Sequence, residues 1–400
     1  MPINSLITAS KYTGELDKLF EQKAVTGFFA DNNMRAKFVG AKTVLIPDVD
    51  FVGLADYDRD TGFSRGAITV ANTSFTMQKD RARSLQIDRE DLDETGVANL
   101  AGQILGEYVR TKVVPECDAY VLSKMAGIAK TNGQYITGNL STPYADFKAL
   151  VSAVRDRVGY EEELVCFIDT NAYEAFTQSS EISRMITVSD FKQGAANLQV
   201  KSIDGVALLP VVTSRMKSAY TFNAGSTATA GGFTPADNAV GIYMIVMPKS
   251  AGHLVKKTET MRIFTPEQNL DADAYKFDYR VYYDVFVKKS EIANIRAAFA
   301  PSVTISSDVA STASKTAGSI SGSLSVTAAA SDSSTLSYQW YQCTDADGNG
   351  AVALSGETAA SWTIDTTLTA GTYYYFVKIT AGKSTVKNST VCTLTVSAAG

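Results

Sequence analysis

Histidine is nearly missing from this chain: 400 residues hold one, His253. That scarcity removes zinc sites built on several imidazoles and leaves any Ser-His-Asp triad resting on a single residue. His253 precedes Leu254-Val255 in a strand-like run, and no GxSxG or comparable nucleophile motif occurs, so a structural histidine is the simpler reading. No catalytic, cofactor-binding or metal-ligating residue is nominated. Cysteine is sparse as well. Cys117, Cys166, Cys343 and Cys392 are scattered without a CxxC pair, which favours free thiols over a disulfide framework. Apolar runs stop short of the roughly 18 residues that span a bilayer, so no membrane role is expected. Residues 1–20 lack a basic stretch followed by an apolar one, so they do not read as a secretory signal and folding in the cytoplasm is expected. Excess positive charge is absent too: the net charge of -5, with pI ≈ 5.2, argues against an electrostatic grip on nucleic acid by the outer surface.

What is present is a globular composition, 45% hydrophobic and 20% charged, in a chain long enough for two or three domains. The sharpest compositional change falls at Ala300-Pro301, where a charged, aromatic-rich chain gives way to Ser, Thr, Ala and Gly with four lysines and no arginine. A boundary is placed there, giving a C-terminal unit over 301–400. At the other end, residues 12–40 carry Leu16, Leu19, Phe20, Phe28 and Phe29, an amphipathic pattern too small to enclose a core, which reads as an arm lying on something else. The arm is assigned to 1–43.

From Val44 to Ile87 the chain reads as extended, with Ile68/Val70 and Phe75/Met77 alternating around a turn-rich tip, Tyr57 to Gly66. Two long strands with few apolar residues to cover them make a hairpin that is marginal alone. It either takes its support from another subunit or folds back onto its own domain.

Asp91 and Asp93 open a helical pattern with Val97, Leu100, Ile104 and Tyr108 at three- and four-residue spacing. Continued past Pro115 with a kink to Tyr120, Lys124 and Ile128, it spans about 45 to 50 Å at ~1.5 Å per residue, a spine. Gly102 and Gly106 cost such a helix about 1 kcal/mol each, which suggests either close approach of a neighbouring backbone or simple tolerance. Thr142-Pro143 signals a cap and first turn, after which Phe147, Leu150, Val151, Val154 and Val158 mark one face and Gly159 the end. Leu164 to Ile168 is a buried-strand run feeding a second helix start at Ala172. Asp169, at the strand's end, invites a catalytic reading, but a cap role needs nothing more. Beyond 200 come strand runs at Val206–Leu209, Gly241–Met247, His253–Ile263 and Tyr279–Val287, the last with aromatics on both faces, suited to packing by the spine on one side. Residues 224–232 form a Gly/Ala/Ser/Thr loop without a phosphate-loop lysine.

This order of elements resembles the major capsid proteins of tailed phages, the shell fold of the Hong Kong 97 type, over about residues 1–300. The residues carrying it are Ile46-Pro47 entering the hairpin, Asp56-Tyr57-Asp58-Arg59, Leu85-Gln86-Ile87-Asp88 leading to Asp91-Asp93-Glu94-Thr95, Val114-Pro115-Glu116-Cys117-Asp118-Ala119-Tyr120, and Tyr279-Arg280-Val281-Tyr282-Tyr283-Asp284-Val285. The resemblance implies an α+β capsid fold: an N-terminal arm, an extended loop over 44–90 with its hairpin at about 44–75, and peripheral and axial domains over 91–300, the axial one at about 140–250. It implies an extended loop lying across a neighbouring subunit, self-assembly through pentamers and hexamers into an icosahedral shell enclosing double-stranded DNA without sequence specificity, and a location in the virion. With the chain starting at the arm, it also implies a separate scaffolding protein, together with a portal. Covalent crosslinking between subunits is not carried over, because its lysine and asparagine match no positions here.

Residues 302–400 resemble an all-β immunoglobulin-like sandwich. Leu336 to Gln342 matches the strand carrying the core tryptophan, Trp340; Ala370 to Val377 matches the strand with a corner tyrosine, Tyr373; Val391 to Val396 matches the last strand. Cys343 and Cys392 do not occupy the positions of the usual inter-sheet bridge. Display on the outer surface is expected, with Trp362 and the tyrosine cluster offering a weak glycan or bacterial-surface contact, against the simpler reading that they are core. Alternatives to a virion shell are an encapsulin-like nanocompartment shell and a cell-surface adhesin.

Overall fold

Ala274–Val287, a strand of 14 residues, uses both of its faces. The computed structural model describes residues 24–30, 37–40, 42–60, 62–90, 106–179, 187–193, 196–225, 231–236, 239–331, 335–381 and 385–399. Within them this strand is the middle of a three-stranded antiparallel sheet, flanked by Gly252–Phe264 and Lys79–Asp88. Phe277, Tyr279, Val281, Tyr283, Val285 and Val287 point to one face and join the largest hydrophobic cluster. Tyr282 and Phe286 point to the other. Side chains alternate across a strand, so the aromatic-on-both-faces pattern demands two coverings, and both are present.

The first covering is the spine. Helix α1, Val114–Thr131, meets the sheet through Tyr120, whose ring lies edge-on to that of Tyr283 at 5.9 Å, and buries Cys117, Val121, Leu122 and Met125 in the same cluster. It is preceded by a π-helical turn, Val109–Val113, in which the Val114 N–H reaches Val109 O. Pro115 has no N–H to give the carbonyl of Thr111 and its ring would crowd that oxygen, so one extra residue in the turn relieves the clash. The expected kink is therefore a π-turn just ahead of the proline. Residues 106–131 run continuously for roughly 39 Å at ~1.5 Å per residue. The start at Asp91 and the close approach at Gly102 lie outside the described residues; Gly106 is half-buried.

A second sheet of seven strands sits on the opposite side of α1, in the order Tyr135–Thr137, Arg296–Phe299, Ile242–Pro248, Leu164–Asp169, Val206–Val211, Ala196–Ile203, Thr187–Gln193. It draws on strands at 135 and 296 as well as on the span 140–250, a wider set than the sequence suggested. Its far face is covered by α2, Pro143–Val158, and α3, Thr170–Gln178, through Phe147, Leu150, Val154 and Phe176. Pro143 takes the first helical position as expected, but the Thr142 side chain makes no capping bond. Gly159 closes α2 with φ 77, where only glycine is unstrained. Pro210 lies inside its strand and Pro248 is the last residue of its own, against the expectation that each strand stops before its proline. Pro210 pairs in register with Ile168, while Ala196–Ile203 pairs with the same strand only as far as Ala207, so on that side no partner needs the missing N–H.

The segment 24–30 corrects the reading of the whole arm as lying on something else. Phe28 and Phe29 are buried in the chain's own core, Phe28 stacked on Phe167 with ring centroids 6.0 Å apart and Phe29 tilted against it at 6.1 Å. Leu16, Leu19 and Phe20 lie outside the described residues.

Residues through Ala300 pack with the clusters of the two sheets, and residues from Val303 pack with a separate cluster built on Trp340, Trp362, Tyr375, Val377 and Leu394. This last unit is all β: a sheet of Thr312–Thr316, Cys392–Ser397, Gly371–Ala381, Leu336–Cys343 and Val352–Ala353, with Thr385–Asn388 also on Gly371–Ala381, packed with two short pairs. Trp340 Nε1 donates to Ala359 O at 2.9 Å, and Tyr373 Oη donates to Thr369 O at 3.1 Å, four residues upstream. All four cysteines are free and buried.

Candidate functional site

The second covering of the long strand is the root of a β-finger. Thr43–Phe51 and Ile68–Thr76 pair antiparallel without a bulge, from Thr43↔Thr76 to Phe51↔Ile68, with Lys37–Val39 added beside the first strand's root. Val44, Ile46 and Met77 are buried against Tyr282 and Phe286, and the Phe75 ring lies 4.9 Å from that of Phe286. Beyond Ile46 this support ends. Phe51 is 70% exposed, Ile68 66% and Val70 66%; Val52, Leu54, Tyr57 and Phe63 are exposed as well. At the tip, Asp58 Oδ1 accepts the Asp60 N–H at 2.8 Å, Gly62 takes φ 82, and Tyr57 meets Phe63 edge-on at 5.0 Å. The two alternatives posed by the sequence thus divide along the hairpin: its root folds on its own domain and its distal half stands in solvent. A contiguous exposed apolar surface of this kind marks an interaction site.

Parity assigns the faces. Val44, Ile46 and Phe75 lie on one side of the ribbon, and Phe51, Ile68 and Val70 on the other. The apolar stripe changes sides between root and tip.

Two buried carboxylates fix the finger and the N-terminal segment to the spine. Asp284 Oδ1 accepts from Tyr120 Oη (2.7 Å) and Lys124 Nζ (2.6 Å), while its Oδ2 accepts the Gln78 N–H (3.0 Å) at the turn leaving the finger. Burial pushes the Tyr120 hydroxyl well up, so it stays a donor. Asp118 accepts the N–H groups of Val25 (3.2 Å) and Thr26 (3.1 Å), the Thr26 hydroxyl (2.7 Å) and Arg215 Nη1 (3.2 Å). Its pKa is raised, burial outweighing these hydrogen bonds and the arginine. The sequence reading missed both roles. An aspartate inside the otherwise apolar run Tyr282-Tyr283-Asp284-Val285-Phe286 was the available signal, since a charge enters a core only with partners.

The residues weighed for catalysis are not brought together. Asp169 caps α3, its side chain accepting from Asn171 N at 3.2 Å, and His253 lies in the other sheet, opposite Phe286. Among the described residues no three His, Cys, Asp or Glu side chains group as a metal site, and no helix is long and apolar enough to cross a membrane. Trp362, offered as a sugar-stacking residue, is 6% exposed; its ring packs 5.9 Å from Trp340 and 4.6 Å from Tyr375, because the small core of that unit needs both indoles.

No family model and no curated protein matches the sequence. Among solved structures, the chain is similar to the capsid of the cyanophage P-SCSP1u (14% identity, 66% of this chain and 85% of that one, TM-score 0.46). It is also similar to the mature capsid of bacteriophage PhiM1 (12%, 65% and 82%, TM-score 0.43) and to a virus-like particle from Pyrococcus furiosus (9%, 72% and 98%, TM-score 0.38).

Proposed function

We propose that this chain is a structural protein that builds a closed shell from copies of itself, the major capsid protein of a tailed phage with a shell of the Hong Kong 97 type. The observation carrying this is the finger: its root is stapled to the long sheet through Val44, Ile46 and Asp284, while Phe51, Ile68 and Val70 project without a covering surface. Burying each of those side chains contributes roughly 1.5–3 kcal/mol relative to exposure, and a second copy supplies the surface in a self-tiling particle. The sequence motifs support the same reading. In it, the chain forms pentamers and hexamers of an icosahedral shell, assembles with a scaffolding protein and a portal, and encloses double-stranded DNA without sequence specificity. The net charge of -5 suits loose containment of DNA.

The unit at 301–400 is an immunoglobulin-like module displayed outside, where it does not obstruct closure. The Trp340 core strand and the Tyr373 to Thr369 hydrogen bond support that assignment. The test is negative-stain electron microscopy of the expressed chain, alone and with a candidate scaffolding protein. Hollow shells, tubes or rings of five or six subunits support the reading; a monodisperse monomer under both conditions overturns it.

A further inference from the structure

A groove of about 690 Å³ opens between the start of the spine and the strand Lys79–Asp88. Leu85, Tyr108, Val113 and Tyr279 form its apolar walls, and Arg83 and Lys112 stand at its rim. The walls continue the largest core cluster, where Leu85, Tyr108 and Val113 are packed but only partly buried. Pockets that take small molecules enclose about 300–1,000 Å³, are mostly apolar and carry a few polar groups that orient the ligand. This groove has that size and that lining.

Its far end is fixed by hydrogen bonds. Arg81 pairs with Glu116 of the spine at 2.5 Å and donates to Asn223 O (2.9 Å) and Gly232 O (3.2 Å), which ties the hairpin of Tyr220–Asn223 and Gly232–Pro235 to the strand and to the spine together. Arg83 lies against the turn of the same hairpin: a Cβ on Gly225 would stand 2.8 Å from its Nη1, and one on Gly231 3.4 Å. Two glycines therefore leave room for one guanidinium at the groove's edge. Arg81 is spent within the fold, but Arg83 and Lys112 are exposed, and among the described residues neither forms a salt bridge. Burial raises the Tyr108 hydroxyl above its ordinary range, so it stays a donor beside them.

We infer that this groove is a binding site for a free amphipathic anion, an alkyl carboxylate of medium chain length, with its tail against Leu85, Tyr108 and Val113 and its head group between Arg83 and Lys112. Charge complementarity selects the class. Two cations without partners at one rim favour a single anionic head, since a charge-assisted hydrogen bond is roughly twice as strong as a neutral one. The walls offer the rest of the molecule apolar contact, and each methylene buried there adds about fourfold in affinity. A small free anion such as sulfate would leave the walls wet, and a neutral alcohol would leave both cations without a counter-charge. The site belongs to the unassembled chain and stands apart from the shell reading.

The test is calorimetric titration of the full, unassembled chain with octanoate, butanoate and octanol. One octanoate per chain is expected, bound about fiftyfold or more tighter than butanoate, which has four methylenes fewer. Octanol is expected to bind roughly tenfold or more weakly than octanoate. The Arg83→Gln, Lys112→Gln chain is expected to lose about tenfold or more in octanoate affinity and to keep its urea midpoint, both positions being exposed. Octanoate affinity unchanged in that variant, or equal affinity for octanoate and octanol, overturns the site. Sedimentation that shows pairs of chains to which octanoate does not bind assigns the groove to a second copy and overturns it as well.

Discussion

The carboxylate of Asp284 joins Tyr120 of the spine, at 2.7 Å, to a strand whose other face carries the root of the finger. The same group accepts the Gln78 N–H, so one buried charge ties the spine, the long sheet and the finger's exit turn. Replacing Asp284 by Ala is expected to cost about 3 kcal/mol, because Tyr120 and Lys124 lose their acceptor inside the fold. Urea unfolding of unassembled chain reads the loss. An unchanged midpoint would mean the finger's root is held by apolar contact alone.

The exposed half of the finger separates assembly from stability. Val70→Asp and Ile68→Asp are expected to leave the unfolding midpoint of the unassembled chain within about 0.5 kcal/mol of wild type, since both side chains are exposed and neither joins a core cluster. Particle yield is expected to collapse, because a charge would have to be desolvated in the contact. Sedimentation of expressed material measures one quantity and urea titration the other.

Gly252 faces the ring of Phe29. A Cβ built there lies 2.6 Å from Phe29 Cε1, so Gly252→Ala is expected to destabilise by about 1–3 kcal/mol through overpacking. Phe29→Ala is expected to cost about 3–5 kcal/mol as a core cavity. Thermal unfolding with the pair of single mutants and the double mutant checks this. If Phe29→Ala had no effect, segment 24–30 would be an arm after all.

Asp118 gives a pH dependence with a defined sign. Its pKa in the folded state lies above the unfolded value of 3.8, burial being the main cause, so the native state binds that proton more tightly than the unfolded chain. This group's contribution to stability is therefore greatest below 3.8 and falls as pH rises from there through the folded-state pKa. Asp118→Asn is expected to remove that slope while keeping one acceptor for the Val25 and Thr26 N–H groups. Unfolding midpoints of wild type and variant across acidic pH measure the difference, and parallel curves would assign the slope elsewhere.

The hydrophobic cluster changes between Ala300 and Val303, which makes the C-terminal unit separable. Deleting residues 302–400 is expected to leave particle formation intact, with a thinner outer profile by electron microscopy. Failure of the truncated chain to assemble would contradict a peripheral place for that unit.

Much of the architecture was legible because it is written in short-range periodicity. The alternation through Tyr279–Val287 specified a strand needing cover on two sides, Pro143 and Gly159 bracketed a helix, and Asp169 announced a cap. Thr142 misled because its residue type matches a capping position while the geometry of the turn leaves its hydroxyl unused. Strands containing Pro210 and Pro248 were cut short because a missing N–H matters only where a partner strand asks for it, which depends on neighbours distant in sequence.

By itself, then, the sequence determined the elements, the break near residue 300, and a hairpin too poor in apolar residues to stand alone. Tertiary structure decided that Phe28 and Phe29 are core, that Trp362 is covered, that Asp118 and Asp284 are anchors, and which face of the finger is left bare. The reason is physical: periodicity fixes which side chains share a face, but burial and pairing of that face are set by distant chain segments, as between Gln78 and Asp284, 206 residues apart.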